Sequence, residues 1–170
     1  HFNLAIQLDK NNIKAYNNLG NILRVQGKFK DSVAVYEKAL KINPNNTAVL
    51  ANIAEASKAL HISDKAEFYL KKAITIDPRN ASLMNSLGTF YLSVGKNSRA
   101  IFYFNESIKE DPTFVHAHYN LSRLKTQKSD DAHLISMIKQ SENKNIKNRS
   151  LALLCFAISK AMHDLKSYKL

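Results

Sequence analysis

Proline occurs only three times in this chain, glycine four times and cysteine once, and tryptophan is absent. So few turn formers and helix breakers exclude a domain built from many short strands and tight turns. They equally exclude a Pro/Gly-rich disordered segment. The single cysteine, Cys155, excludes an internal disulfide; within Leu153-Leu154-Cys155-Phe156-Ala157 it reads as a small core residue on an apolar helix. No run approaches the roughly 18 apolar residues of a membrane-spanning helix, so no membrane partner is expected. No secretory leader is visible, and the expected location is cytoplasmic. Acidic residues are also scarce, 14 Asp and Glu against 25 Lys and Arg, a net charge of +11.

What is present is order at long period. The three prolines are Pro44, Pro78 and Pro112, 34 residues apart both times. The four glycines form two pairs, Gly20 with Gly27 and Gly88 with Gly95, displaced by 68 residues, two periods. Aligned at that period, small residues share one column (Gly20, Ala54, Gly88, Ser122) and another runs Ala5, Ala39, Ala73, Ser107, Ser141. Bulky residues fill two more: Leu19, Ile53, Leu87, Leu121, and Phe2, Tyr36, Leu70, Phe104, Ile138. A period in this range is the signature of a solenoid of helix pairs. Each copy reads as two antiparallel helices, A then B, with apolar residues three and four apart. The small residue in helix A lets helix B come close, and the glycines at 27 and 95 suit a left-handed helix end. Asn43-Pro44-Asn45-Asn46 and Asp77-Pro78-Arg79-Asn80 combine a helix stop with a cap for the next helix.

The run Tyr16-x-x-Leu19-Gly20-x-x-Leu23-x-x-x-Gly27, followed by Tyr36-x-x-Ala39 and Pro44, resembles the tetratricopeptide repeat. The second copy carries Ile53, Ala54, Ala66, Leu70, Ala73 and Pro78. The third carries Leu87, Gly88, Tyr91, Gly95, Ala100, Phe104 and Pro112, with Ser107 where the family has alanine. The resemblance spans roughly residues 1–145 and implies an all-α, right-handed α-solenoid of antiparallel helix pairs, a single superhelical domain over 1–170. Residues 1–12 read as part of a preceding helix B. Full repeats follow at 13–46, 47–80 and 81–114, a degenerate one at 115–148, and helix A of a partial or capping repeat at 149–170. Helices are expected at 13–26, 30–42, 47–60, 64–76, 81–94, 98–110, 115–127, 131–142 and 149–165. Copy four breaks the pattern: Ser129 replaces the glycine, Leu134 replaces a small residue and Ile146 holds the proline position. Beyond it the repeat resumes about three residues out of phase. Both ends read as cut from a longer array, and their uncovered faces suggest self-association through the terminal helices.

Function is expected on the concave wall, built from helix A. One column there reads Asn18, Asn52, Ser86, Asn120. Amides are poor core residues, yet each offers a donor and an acceptor, the complement of a peptide group. The column resembles the asparagine ladder of the O-linked N-acetylglucosamine transferase repeat domain, and that resemblance implies backbone binding by Asn18, Asn52 and Asn120; Ser86 interrupts it. The alternative is that these amides bridge neighbouring helices. The same face carries Asn17, Asn21 and Arg24, then Glu55 and Lys58, then Asn85 and Thr89, then Tyr119 and Arg123. Arg24, Lys58 and Arg123 suit a carboxylate, although the residue set of the chaperone-binding clamp of this family does not recur in order.

The basic excess is concentrated late, with ten Lys or Arg against four acids in residues 121–170. No nucleic-acid-binding motif accompanies it, so nucleic acid is not the expected partner. A solvated basic face and attraction to an acidic protein or peptide both remain open. His116 and His118 lie two apart on a helix and point to different faces, so no metal is expected, and His133 and His163 read as isolated. No phosphate loop and no nucleophile–base constellation is visible. The chain is therefore expected to be non-catalytic, to need no cofactor, and to bind an extended peptide or partner segment. A narrower resemblance covers residues 115–168, in Ala117–Lys125, the acid pair Asp130-Asp131, Cys155–Ala161 and Asp164-Leu165. These are similar to the junction in bacterial proteins whose tetratricopeptide repeats precede a sulfotransferase domain. That implies the alternative, a recruitment segment for a transferase, a sulfotransferase or, with less support, a glycosyltransferase.

Overall fold

The asparagine before each of the first three A helices sets where it begins. Asn12, Asn46 and Asn80, one period apart, accept the backbone N–H of Ala15, Val49 and Leu83 at 2.9, 3.0 and 3.2 Å. Each cap satisfies an orphan donor and is worth about 1 kcal/mol. The computed structural model describes residues 2–125, 132–143 and 146–167. Among the described residues the secondary structure is ten α-helices and no strand. They are α1 (Phe2–Leu8), α2 (Ile13–Val25), α3 (Phe29–Ile42), α4 (Thr47–Ala59), α5 (Ser63–Ile76), α6 (Ala81–Ser93), α7 (Asn97–Glu110), α8 (Val115–Ser122), α9 (Ala132–Ser141) and α10 (Asn148–Ser167). Eight of the nine expected helices match to within two residues at each end. The expected helix 115–127 stops at Ser122 instead, and 126–127, Ser129 and the acid pair Asp130-Asp131 lie outside the described residues. Two compact units result, His1–Arg79 and Asn80–Leu170.

Each of the first three copies closes its A–B turn with the same left-handed residue. Gly27 and Gly95 have φ of +76° and +73°, and at the matching position of copy two His61 takes φ 59°. The backbone bonds repeat as well: Lys28, Ile62 and Lys96 donate to the carbonyls of Leu23, Ser57 and Tyr91. Histidine bears a steric cost in this conformation that glycine avoids. The turn geometry, rather than the glycine, is therefore what repeats.

Within a copy, helices A and B meet where the small residue lies. A Cβ on Gly88 would come within 2.6 Å of the Phe104 ring, and a Cβ on Gly20 would overlap the Tyr36 ring. Where Ala54 stands in the glycine column, the ring is replaced by Leu70. Glycine faces an aromatic and alanine an aliphatic side chain, so the summed volume changes little. In the first unit Tyr36 joins Val33, Ala39, Val49, Ile53 and Ala56 in one buried cluster. In the second, Ser107 keeps the alanine column dry by donating its hydroxyl to the Ala81 carbonyl at 2.7 Å.

Copy four departs in ways its residues explain. Phe114 precedes α8 and supplies no side-chain cap, and the helix has only 8 residues. Leu134 occupies the column held by the fully buried Ser32, Ala66 and Ala100. Leu134 is itself buried, and α8 and α9 both pack chiefly against α10. Val115, Leu134, Met137, Leu154, Ala157 and Ala161 form their common core, with Ile146 packed at its edge in place of a fourth proline. The buried stripe of α10, Leu154-Ala157-Ala161, turns Cys155 outward, and it is exposed rather than in the core as its apolar neighbours suggested.

The ring-against-glycine contact makes a direct prediction. Gly88→Ala should lower stability in urea denaturation by about 1–2 kcal/mol, overpacking outweighing the helix-propensity gain. Combined with Phe104→Leu, the pairing already used by Ala54 and Leu70, the loss should be at least about 1 kcal/mol smaller than the sum of the two single losses.

Candidate functional site

The helix-A face of the first unit is organised by two polar contacts. Asn52 on α4 donates Nδ2–H to Oδ1 of Asn17 on α2 at 2.8 Å. One turn further along α2, Asn21 Oδ1 accepts the Tyr36 hydroxyl at 2.7 Å. Burial raises the Tyr36 phenol above its ordinary 10.0, while the neighbouring Arg24 guanidinium acts in the opposite sense. Arg24 is half-buried, and its Nε is buried with no hydrogen-bond partner. On α4, Glu55 and Lys58 pair with each other at 2.6 Å. Asn18 is exposed and takes no part in the bridge.

The second unit repeats the bridge. Asn120 on α8 donates Nδ2–H to Asn85 Oδ1 on α6 at 2.9 Å. Thr89 donates its hydroxyl to the Asn85 carbonyl at 2.9 Å, a local helix contact. Ser86, the break in the asparagine column, is half-buried beside Asn85. Tyr119 is flanked by the Arg123 guanidinium at 5.8 Å and by the Phe156 ring of α10 at 5.7 Å, between centroids. Phe156 is 58% exposed and so extends this face with an apolar surface. Lys160 ties α10 to the end of α8, donating to the Lys125 carbonyl at 2.9 Å and to Asp164 at 2.6 Å.

The amides thus stand as cross-helix pairs, one residue more than a period apart, rather than as a single file. Each pair consumes one Nδ2 hydrogen and one carbonyl lone pair. The Oδ1 and second Nδ2 hydrogen of Asn52 and Asn120, and both Nδ2 hydrogens of Asn17 and Asn85, are not used by the bridges. Tyr36, Phe156 and Lys160 join the face without being expected there. The Tyr36 ring lies in the core, in its column of bulky residues, and its hydroxyl bonds Asn21. Phe156 was hidden by the three-residue phase slip before α10.

The histidines need a correction. His133 is not isolated: its ring stacks on His118 at 5.1 Å with an interplanar angle of 3°. His118 falls in the column of Tyr16, Leu50 and Met84, which explains why it is fully buried. Its Nε2 lies 2.9 Å from the Pro112 carbonyl, and Gln140 adds a contact to the same carbonyl. Among the described residues no group of three or more His, Cys, Asp or Glu side chains could hold a metal ion. No described helix is long and apolar enough to cross a membrane.

Tetratricopeptide-repeat family models match residues 13–46, 48–80 and 69–102, together more than half of the sequence. The chain belongs to the tetratricopeptide repeat family. Its fold is an all-α tetratricopeptide-repeat solenoid, and solved structures agree at low identity. MamA aligns with a TM-score of 0.64 and 17% identity over 99% of this chain and 86% of its own. YrrB, a TPR protein with an unusual peptide-binding site, gives 0.64 and 18% over 99% of this chain and 98% of its own. The O-GlcNAc transferase of Thermobaculum terrenum, in a K341M mutant form, gives 0.63 and 22% over 76% of this chain but 25% of its own. No curated protein sequence matches. In the repeat frame, the stretch that resembles a sulfotransferase junction has a packing explanation, since Ala117, His118, Leu121 and Ser122 are all buried.

The imidazole stack generates a pH prediction. Burial holds His118 below its ordinary 6.5, against the opposing pull of the Pro112 carbonyl and Asp111. Below that ordinary value the unfolded chain binds more protons than the folded one. Stability is therefore full above pH 6.5 and is lost as the pH falls toward the depressed folded value. Thermal melts at about pH 7.5 and about pH 5.5 should show a larger acid-side loss in the wild type than in His118→Met, which adopts the Met84 solution.

Proposed function

We propose that this chain is a non-catalytic protein-interaction scaffold, and that the helix-A faces of its units take an extended peptide or partner segment. The observation that carries this reading is the recurrence of the amide bridge, Asn17 with Asn52 and Asn85 with Asn120, in the same sense and at nearly the same length. A purely structural tie has no need of amides where apolar contacts would serve. A paired amide still exposes one donor and one acceptor, which is what a peptide group in an extended chain requires. Asn18, Thr89, Tyr119 and Arg123 border these bridges, and the net charge of +11 favours an acidic partner. YrrB's peptide-binding site makes peptide capture a use to which this fold has been put.

The second reading makes the chain the substrate-recruiting segment of a transferase. It rests on the resemblance of residues 115–168 and on the likeness to the Thermobaculum O-GlcNAc transferase, of which the match spans a quarter. Genomic sequence encoding a phosphate-binding loop downstream of Leu170 would favour this reading, and further repeats would oppose it.

Asn52→Ala combined with Asn120→Ala tests the lead reading. Dodecapeptides selected on the wild type from a displayed library should bind the double variant at least about tenfold more weakly, with the helical circular-dichroism spectrum kept. Loss of the bridges should cost about 1 kcal/mol of stability each. Unchanged affinity in a folded variant would contradict the proposal.

A further inference from the structure

Phe68 on α5 is 61% exposed, and its ring stands edge-on to the half-buried Tyr69 at 5.3 Å between centroids and 72°. Ala34 holds the same column on α3, so the packing of a helix B needs no ring at that position. An aromatic ring held in solvent without a packing duty is the kind of anchor that interfaces use. Around it the charges are unbalanced. Lys65 reaches from α5 to Glu37 on α3 at 2.7 Å, and Lys71 pairs with Glu67 at 2.7 Å. Lys38, Lys41 and Lys72 pair with no acid among the described residues. The remaining acids of the two helices, Asp31 and Asp64, lie in their first turns, at the opposite end. In the second unit the ring pair recurs, Phe102 on Tyr103 at 5.1 Å and 87°, but Glu106 takes the column of Lys38 and Lys72. The exposed ring with an unpaired ammonium group one turn on is therefore a feature of the first unit.

We infer that this helix-B face of the first unit docks an acidic amphipathic α-helix of a partner protein, with an apolar residue of that helix on Phe68 and its carboxylates on Lys38, Lys41 and Lys72. Charge decides the sign: three uncompensated ammonium groups repel a basic ligand and attract an acidic one. The backbone decides the conformation. An extended ligand needs donors and acceptors for its peptide groups, and α2 and α4 offer amides in Asn17, Asn21 and Asn52. Neither α3 nor α5 contains asparagine or glutamine, and along their length the backbone N–H and C=O groups are spent within the helices. A ligand seated here must satisfy its own backbone, which an α-helix does. Two helices that both pack on α4 also present the ridges between which a third helix seats. The site is separate from the helix-A face and takes a ligand of different conformation.

The test titrates the chain with two fluorescein-labelled peptides of about 20 residues, long enough to form a helix, and reads fluorescence anisotropy. One carries Leu at the a and d positions of a heptad, Glu at e and g and Ala elsewhere; the other is the same with Pro at its centre, which breaks the helix. The wild type should bind the helical peptide at least about tenfold more tightly than the broken one. Phe68→Ser, at an exposed position, should weaken binding about tenfold with the circular-dichroism spectrum kept. Lys38→Glu with Lys72→Glu should also weaken it at least about tenfold. Lys10→Glu with Lys14→Glu, the same charge change at exposed positions before and at the start of α2, should cost less than about threefold. The Asn52→Ala, Asn120→Ala double variant should bind the helix as the wild type does. No binding by the wild type, equal binding of the two peptides, wild-type affinity in Phe68→Ser, or equal losses from the two charge reversals would each overturn the docking site. So would loss of binding in the amide variant, which would move the ligand to the helix-A face.

Discussion

In each unit an aromatic ring of helix B lies so close to the backbone of helix A that only glycine leaves it room, Gly20 against Tyr36 and Gly88 against Phe104. It sets how near helices A and B of a copy come, and so the distance at which the following helix A must lie. Had the small column held larger residues, the A helices would separate and the short asparagine side chains would no longer reach across. Bridges of 2.8 and 2.9 Å are in this sense a consequence of two missing side chains. The polar face inherits its geometry from the core.

Copy four shows the constraint by its failure. Leu134 stands where a small residue should, Phe114 leaves α8 without a side-chain cap, and His118 brings a polar ring into an apolar column. The outcome is a three-helix cluster in which α10 is the principal partner of both α8 and α9. That rearrangement places Phe156 beside Tyr119 and adds an aromatic surface to the face of the second unit. A packing defect and a binding feature here have one origin.

Columns of the 34-residue period made the helices, caps, left-handed turns and the A–B contact legible, because these depend on residues close in sequence or fixed in register. The pairing of the amides was less legible. Alignment at 34 puts Asn52 level with Asn18, whereas the neighbouring helix offers Asn17. Which residue faces across depends on how adjacent helices cross, and crossing angles are set by packing rather than by column. Phe156 escaped notice because a phase slip breaks the column, and Cys155 was misplaced because an apolar neighbourhood in sequence does not say which side of a helix is buried. Of His118 and His133, sequence spacing of 15 residues gives no hint that the rings stack.

The central claim is that the register of the core delivers the interaction to the paired amides of the helix-A face. Side-chain amide resonances in proton–nitrogen correlation spectra report on it directly during titration with a dodecapeptide selected on the wild type. The account predicts that the side-chain NH2 signals of Asn17, Asn52, Asn85 and Asn120 shift together with saturation. If those signals stay still while backbone amides around the exposed helix-B residues Phe68 and Phe102 move, the interaction lies on the other face and the account is wrong.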